Sequence, residues 1–202
     1  MSTFKNKIDF GQFLADLITH QCDFLENNFN KLVTLADEFE VLTDKDKEEF
    51  LDKAHELIIV DILMSCNQNF CKDLSSEEVG EAVSIVYTQY LTEYKKIPKT
   101  LAGKKLEKVM ELFELVCKAG EDTQKQDKHY KKIGYKSYPK IVSDIDKQKF
   151  YLCSAFSSYC VGEDIKSENW EGRHFAAFKL AKGFVKGDIV KSMLKLKGRV
   201  GS

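Results

Sequence analysis

The apolar residues of this chain recur at helical spacing almost throughout, and one stretch is apolar at nearly every position. Residues 57–64 read LIIVDILM, the longest dense run of large aliphatic side chains. A helix that is apolar on nearly all sides belongs at the centre of a helical protein. We therefore predict that this helix is central and that Asp61 lies in the middle of its buried stripe.

The spacing of apolar residues and of helix-capping residues predicts a single all-α domain over residues 1–202. Only two prolines occur, at 98 and 139, and no period-2 segment of convincing length supports a strand. The predicted architecture is a helical bundle of about six main helices plus a short C-terminal helix. The expected ranges are 10–41, 45–66, 76–96, 100–119, 139–161, 168–186 and 188–198, with an exposed connector over 121–138.

The first predicted helix carries a heptad seam with a 4-3-4-3-4-3 spacing. Its members are Ile18, Cys22, Leu25, Phe29, Leu32, Ala36 and Phe39. A long helix of an antiparallel bundle and a coiled-coil dimer both give this pattern, and we favour the bundle. Self-association through the seam stays open as an alternative.

Capping residues mark three helix starts. Asp9 with Gln12 and Ser75 with Glu78 have the spacing of a reciprocal cap, and Thr43 precedes an acidic first turn. Near the other end of the chain, lysines fall on opposite sides of one helical wheel. A single straight helix with two opposed polar faces would expose its apolar residues, so we predict a break at Gly187.

The net charge is −1, but it is unevenly distributed. Residues 1–100 contain 10 basic and 19 acidic groups, whereas residues 173–202 contain 8 basic groups and one acidic group. The basic end either packs beside the acidic half or contacts an anionic partner. Candidate nucleic-acid or anion contacts are Lys191, Lys195, Lys197 and Arg199. No motif supports a specific mode of nucleic-acid recognition, and we do not expect membrane-surface contact.

Neither a secretory signal nor a membrane-spanning segment is visible in the sequence, so a cytoplasmic protein is expected. The six cysteines show no C-x-x-C spacing and are expected to be reduced. Whether Cys66 and Cys71 pair under oxidation is left open.

Asp61 is the first candidate for chemistry, because a buried carboxylate needs a partner or a raised pKa. No basic residue lies three or four positions away on its own helix, so a partner must come from another helix. The candidate polar cluster comprises Asp61, Tyr87, Tyr90, Tyr94 and His174. A structural hydrogen bond and a ligand-binding or proton-transfer role are both consistent with it.

Two acid–histidine steps at i,i+3 spacing give a metal-binding alternative. They are Asp52–His55 and Glu171–His174, and in carboxylate-bridged metal bundles such steps point inward. Asp52 and Glu171, however, lie off the apolar stripes of their helices.

The sequence contains no G-x-S-x-G, P-loop or H-E-x-x-H motif. We therefore predict no catalytic residue and no cofactor, and favour a non-catalytic interaction, regulatory or assembly protein. The alternatives are a ligand- or metal-binding bundle, possibly an enzyme, with a polar pocket around Asp61, and a nucleic-acid-associated protein that uses the basic C-terminal helix.

Overall fold

The computed structural model describes residues 7–34, 39–70, 72–132, 144–162, 169–185 and 189. Six α-helices account for most of them, and the described ranges contain no strand. The helices are α1 (Lys7–Thr34), α2 (Asp44–Phe70), α3 (Ser76–Gln89), α4 (Lys99–Lys132), α5 (Asp144–Val161) and α6 (Trp170–Phe184). A single π-helical turn, Tyr90–Tyr94, continues α3 and is called the π-turn below. The all-α prediction is confirmed.

Helix α2 lies at the centre of the bundle. It packs against each of the other five helices, and those five contact one another in the cyclic order α1, α3, α4, α5, α6 and back to α1. The chain therefore encloses one helix within a ring of five. A helix in this position has no solvent-facing side along its middle, which explains why its apolar residues follow no 3.6-residue period.

The stretch 57–64 is the enclosed part of α2. Every side chain from Leu57 to Leu63 is buried, and only Met64 is partly exposed. Asp61 is 1% exposed, so its predicted position inside the core is confirmed.

Local capping chemistry sets where α2 and α3 begin. The Thr43 hydroxyl accepts a hydrogen bond from the Asp46 amide, and the Asp46 carboxylate accepts bonds from the Thr43 amide and hydroxyl. Ser75 and Glu78 form the same reciprocal arrangement. The cap predicted at Asp9 is wrong, because α1 begins at Lys7 and Asp9 lies within its first turn.

Two helices are longer than predicted. Residues 67–70, expected in a loop, form the last turn of α2, because Phe70 packs edge-on against Phe10 and Phe13. Helix α4 runs on to Lys132 through two thirds of the predicted connector. Its residues 121–132 are polar on all sides, so hydrophobic spacing carries no signal for a helix there.

At the end of α1 the structure differs from the predicted range 10–41, since residues 39–41 lie in a turn. Ala36 of the heptad seam lies outside the described residues, and the seam residues within α1 pack inside the chain. Ile18, Cys22, Leu25 and Phe29 are buried. Leu32 lies against Gly183 of α6, where a side chain would meet it at 2.8 Å, so α1 and α6 approach closely and close the ring.

The predicted break at Gly187 and the helix 188–198, apart from residue 189, lie outside the described residues. So do the candidate contacts Lys191, Lys195, Lys197 and Arg199. None of the helices in the described ranges has the length and apolarity to cross a membrane.

We expect side-chain truncations on opposite sides of α2 to lower the free energy of unfolding by similar amounts. Leu57 and Ile59 are both fully buried, although their side chains point about 160° apart around the helix. Replacing either with alanine should lower the free energy of unfolding by about 2–5 kcal/mol, because each change leaves a cavity.

Ile85, which is 51% exposed on α3, provides the control for these truncations. Its replacement by alanine should change the free energy of unfolding by about 0.5 kcal/mol or less. Urea unfolding followed by circular dichroism measures all three variants. Either core variant matching the Ile85 variant in stability would contradict the central position of α2.

Candidate functional site

The structure separates the predicted polar cluster into three places. Asp61 faces Cys153 of α5. Burial is the main cause of the raised pKa of Cys153, and the charge of Asp61 raises it further. Tyr87 and Tyr90 lie near Cys22 of α1. His174 contacts Ser157.

His174 ties α6 to α5. Its Nε2 lies 3.0 Å from the Ser157 hydroxyl, which also lies 2.9 Å from the Ser154 carbonyl oxygen. The Ser157 hydroxyl has one hydrogen, and the Ser154 carbonyl oxygen can only accept. When both bonds are made, the hydroxyl therefore donates to the carbonyl oxygen, and the ring nitrogen of His174 donates to the hydroxyl. Burial lowers the pKa of His174, so a neutral ring suits this position. A serine that donates to backbone is not set up as a nucleophile, so this contact is structural.

The four candidate metal ligands do not meet. Asp52 pairs with Lys105 at 2.6 Å, His55 pairs with Glu26 at 3.0 Å, and Glu171 is exposed on α6. No group of three or more metal-ligating side chains occurs among the residues that the structure describes.

Glu26 joins three elements through charged contacts. It accepts from His55 of α2 and, at 2.7 Å, from Lys95 next to the π-turn. Burial raises the pKa of Glu26, but the bonds from Lys95 and His55 outweigh this, and the pKa is lowered. His55 Nδ1 also lies 3.0 Å from the Leu51 carbonyl oxygen.

The tyrosines of α3 and the π-turn form a stacked series. The ring centres of Tyr87 and Tyr90 are 6.4 Å apart and those of Tyr90 and Tyr94 are 5.4 Å apart, with interplanar angles of 14° and 20°. Exposure rises along the series from 1% at Tyr87 to 57% at Tyr94. The series therefore leads from the core to the surface beside α1.

The clearest partly buried polar feature is the α2–α5 seam, defined by three contacts of the central helix. The Gln68 amide donates to Gln148, the Tyr159 hydroxyl donates to Glu56 at 2.7 Å, and Lys53 donates to the carbonyl oxygens of Tyr159 and Cys160. Residue numbers rise along α2 as they fall along α5, so the helices are antiparallel. These bonds fix the register of the two helices.

Glu56 is the most perturbed carboxyl group of the α2–α5 seam. It is 4% exposed, and burial raises its pKa to about 7 against the opposing effects of the Tyr159 bond and of Lys105. It is neutral for a substantial fraction of the time near neutral pH. The sequence did not point to Glu56. On a helical wheel Glu56 lies beside the apolar stripe of α2, on a side that is expected to face solvent. The enclosure of α2 is what removes that face from water.

On the outside of the bundle, α5 and α6 expose aromatic side chains next to lysines. Phe150 is 54% exposed and its ring centre lies 6.1 Å from that of Phe178, while Phe175 is 49% exposed with Lys179 Nζ 5.2 Å from its ring centre. The aromatic–lysine face comprises Phe150, Phe175, Phe178, Lys179 and Lys182. Its α6 members fall within an arc of about 100°, so they form one surface.

No protein-family model matches this chain, and searches of curated proteins and of solved structures find no match either.

We expect Glu56→Gln to remove a pH dependence of stability. The folded pKa is about 7 and the ordinary value is 4.5, so between these values the folded protein retains a proton that the unfolded chain has released. The free energy of unfolding should then fall as pH rises through this window, by about 3 kcal/mol in total. Glutamine does not ionise and still accepts from Tyr159, so the variant should be the more stable protein at pH 8.

Urea unfolding from pH 4 to pH 8 measures this slope, with Glu77→Gln at an exposed position of α3 as the control. The control should keep the wild-type slope. An unchanged slope in Glu56→Gln would show that Glu56 does not titrate in this window.

Proposed function

We propose that this chain is a non-catalytic helical interaction protein that acts in the cytoplasm and binds an acidic protein surface through its aromatic–lysine face. The observation that carries the proposal is the pair of half-exposed phenylalanines, Phe150 and Phe175, on adjoining helices. Exposed aromatic clusters on folded proteins commonly mark interaction sites.

The rigidity of the face supports a docking role. Helices α5 and α6 form the most extensive helix pair of the bundle, and the Ser157–His174 contact ties them together. Phe150 and Phe178 are held edge to face across the pair, with an interplanar angle of 65°. A preformed aromatic surface loses little conformational entropy on binding, which favours affinity.

Charge favours an acidic partner. Lys179 and Lys182 are exposed beside the rings, and Trp170–Phe184 contains three basic residues against one acidic residue. Lysines at the rim of an apolar surface speed association with a negatively charged surface and disfavour basic ones. Self-association through the heptad seam is not part of the proposal, because the described seam residues pack within the chain.

The cysteines are consistent with a structural part in a reducing compartment. Cys22, Cys66, Cys153 and Cys160 are buried free thiols. Burial raises the pKa of Cys22 and of Cys153 to about 12, which keeps these thiols protonated and poorly reactive.

A photo-crosslinking amino acid at position 175 tests the proposal. In living cells it should crosslink one recurring protein, and mass spectrometry should map the linked peptide to an acidic segment. The double variant Lys179→Glu/Lys182→Glu should reduce this product about tenfold or more, because reversed charge repels an acidic partner. The same amino acid at Leu101, which is 45% exposed on α4, is the matched control.

Identical products at positions 175 and 101, or products that survive the charge reversal, would contradict the proposal. Binding of the purified protein to phosphatidylserine vesicles or to RNA, lost in the same double variant, would assign the face to a membrane or to nucleic acid instead.

A further inference from the structure

A second surface lies on another side of the ring, where α1 meets α3 and the π-turn. A groove of about 330 Å³ opens there, which is near the lower end of ligand-site volumes. It is lined by Ala15, Thr19, Val86, Gln89, Tyr90, Glu93 and Tyr94. Ala15 and Thr19 have short side chains, so the groove is shallow on the side formed by α1. On the opposite side, Tyr94 projects into solvent.

The groove combines aromatic faces with unused polar groups. The rings of Tyr90 and Tyr94 stack along one wall. The side chains of Thr19, Gln89 and Glu93 make no hydrogen bond or ion pair with the described part of the chain. A carboxylate, an amide and a hydroxyl are therefore available to a ligand beside an aromatic surface.

The fold itself places a cation against the same tyrosines. Lys95 Nζ lies 5.7 Å from the ring centre of Tyr90 and 5.5 Å from that of Tyr94. Its charge is paired with Glu26, so Lys95 does not neutralise the Glu93 carboxylate. Burial, followed by nearby acidic groups that include Glu26 and Asp23, raises the pKa of Tyr90. The ring is therefore a neutral phenol.

The backbone at the groove is also unusual. The Lys95 amide donates to the Tyr90 carbonyl oxygen five residues earlier, at 3.0 Å, and Lys96 has a positive φ of 58°. Single π-helical turns are frequent at functional sites, and a positive φ is uncommon outside glycine. The two features turn the chain sharply after Tyr94, and Tyr94 is left projecting at the groove edge.

We propose that this groove binds an arginine side chain of a basic peptide segment in a partner protein. The guanidinium stacks on the exposed face of Tyr94 and pairs with the Glu93 carboxylate, while its methylenes contact Val86 and Ala15. Arginine suits the site better than lysine because its planar group stacks on aromatic rings and bonds a carboxylate at two points. Residues 1–100, which form the groove, carry a balance of −9, so long-range attraction also favours a basic segment. The proposal is independent of the aromatic–lysine face.

The test is an NMR titration of the ¹⁵N-labelled full chain with acetyl-Ala-Ala-Arg-Ala-Ala-amide. The arginine peptide should give saturable amide shifts confined to residues near Thr19 and Gln89–Tyr94. The matched peptide with citrulline, a neutral isostere of arginine, should give none. A lysine peptide should bind more weakly than the arginine peptide.

Two variants then assign the contacts. Glu93→Gln and Tyr94→Ala should each weaken arginine-peptide binding about tenfold, and both positions are exposed enough to leave the fold intact. Glu77→Gln, also exposed on α3, should bind like the wild type. Equal shifts with the citrulline peptide, shifts elsewhere on the protein, or no saturable shift would each overturn the proposal.

Discussion

The enclosure of α2 by five other helices is the constraint on which the rest of the structure depends. No side of the helix faces water along residues 57–63, so each side chain there must fit a neighbouring helix. A buried polar group is costly unless another element satisfies it. Helix α5 meets this need through Tyr159, Gln148 and the carbonyl oxygens at the end of the helix. The polar groups of α2 thus specify which helix packs where.

The core is fully used by this arrangement, and the two surfaces that we propose for binding both lie where neighbouring outer helices meet. The aromatic–lysine face spans the α5–α6 joint, and the tyrosine-lined groove lies at the joint of α1 with α3. One surface is rimmed by lysines, and the other contains Glu93, which makes no ion pair with the described part of the chain. If both proposals hold, the chain would join an acidic partner and a basic one, as an adaptor does.

Local signals predicted much of this fold. The caps at Thr43 and Ser75 and the burial of Asp61 follow from short-range spacing and hydrophobicity, and the structure confirms them. The burial of Glu56 could not be read from a helical wheel, since it depends on five helices that close around α2. The exposure of Phe150 and Phe175 is equally tertiary, because sequence shows apolar residues but not which of them remain uncovered. The separation of Asp61 from the tyrosines has the same origin: side chains that share apolar faces need not share one interface.

Native-state hydrogen exchange resolved by residue tests the central position of α2 most directly. Amides of residues 54–65 should be the slowest in the protein and should exchange only through global unfolding, at a single free energy on all sides of the helix. Amides of the outer helices α3 and α6 should exchange through smaller openings with lower free energies. Faster exchange in α2 than in those helices, or a 3.6-residue variation in exchange free energy along 54–65, would contradict an enclosed helix.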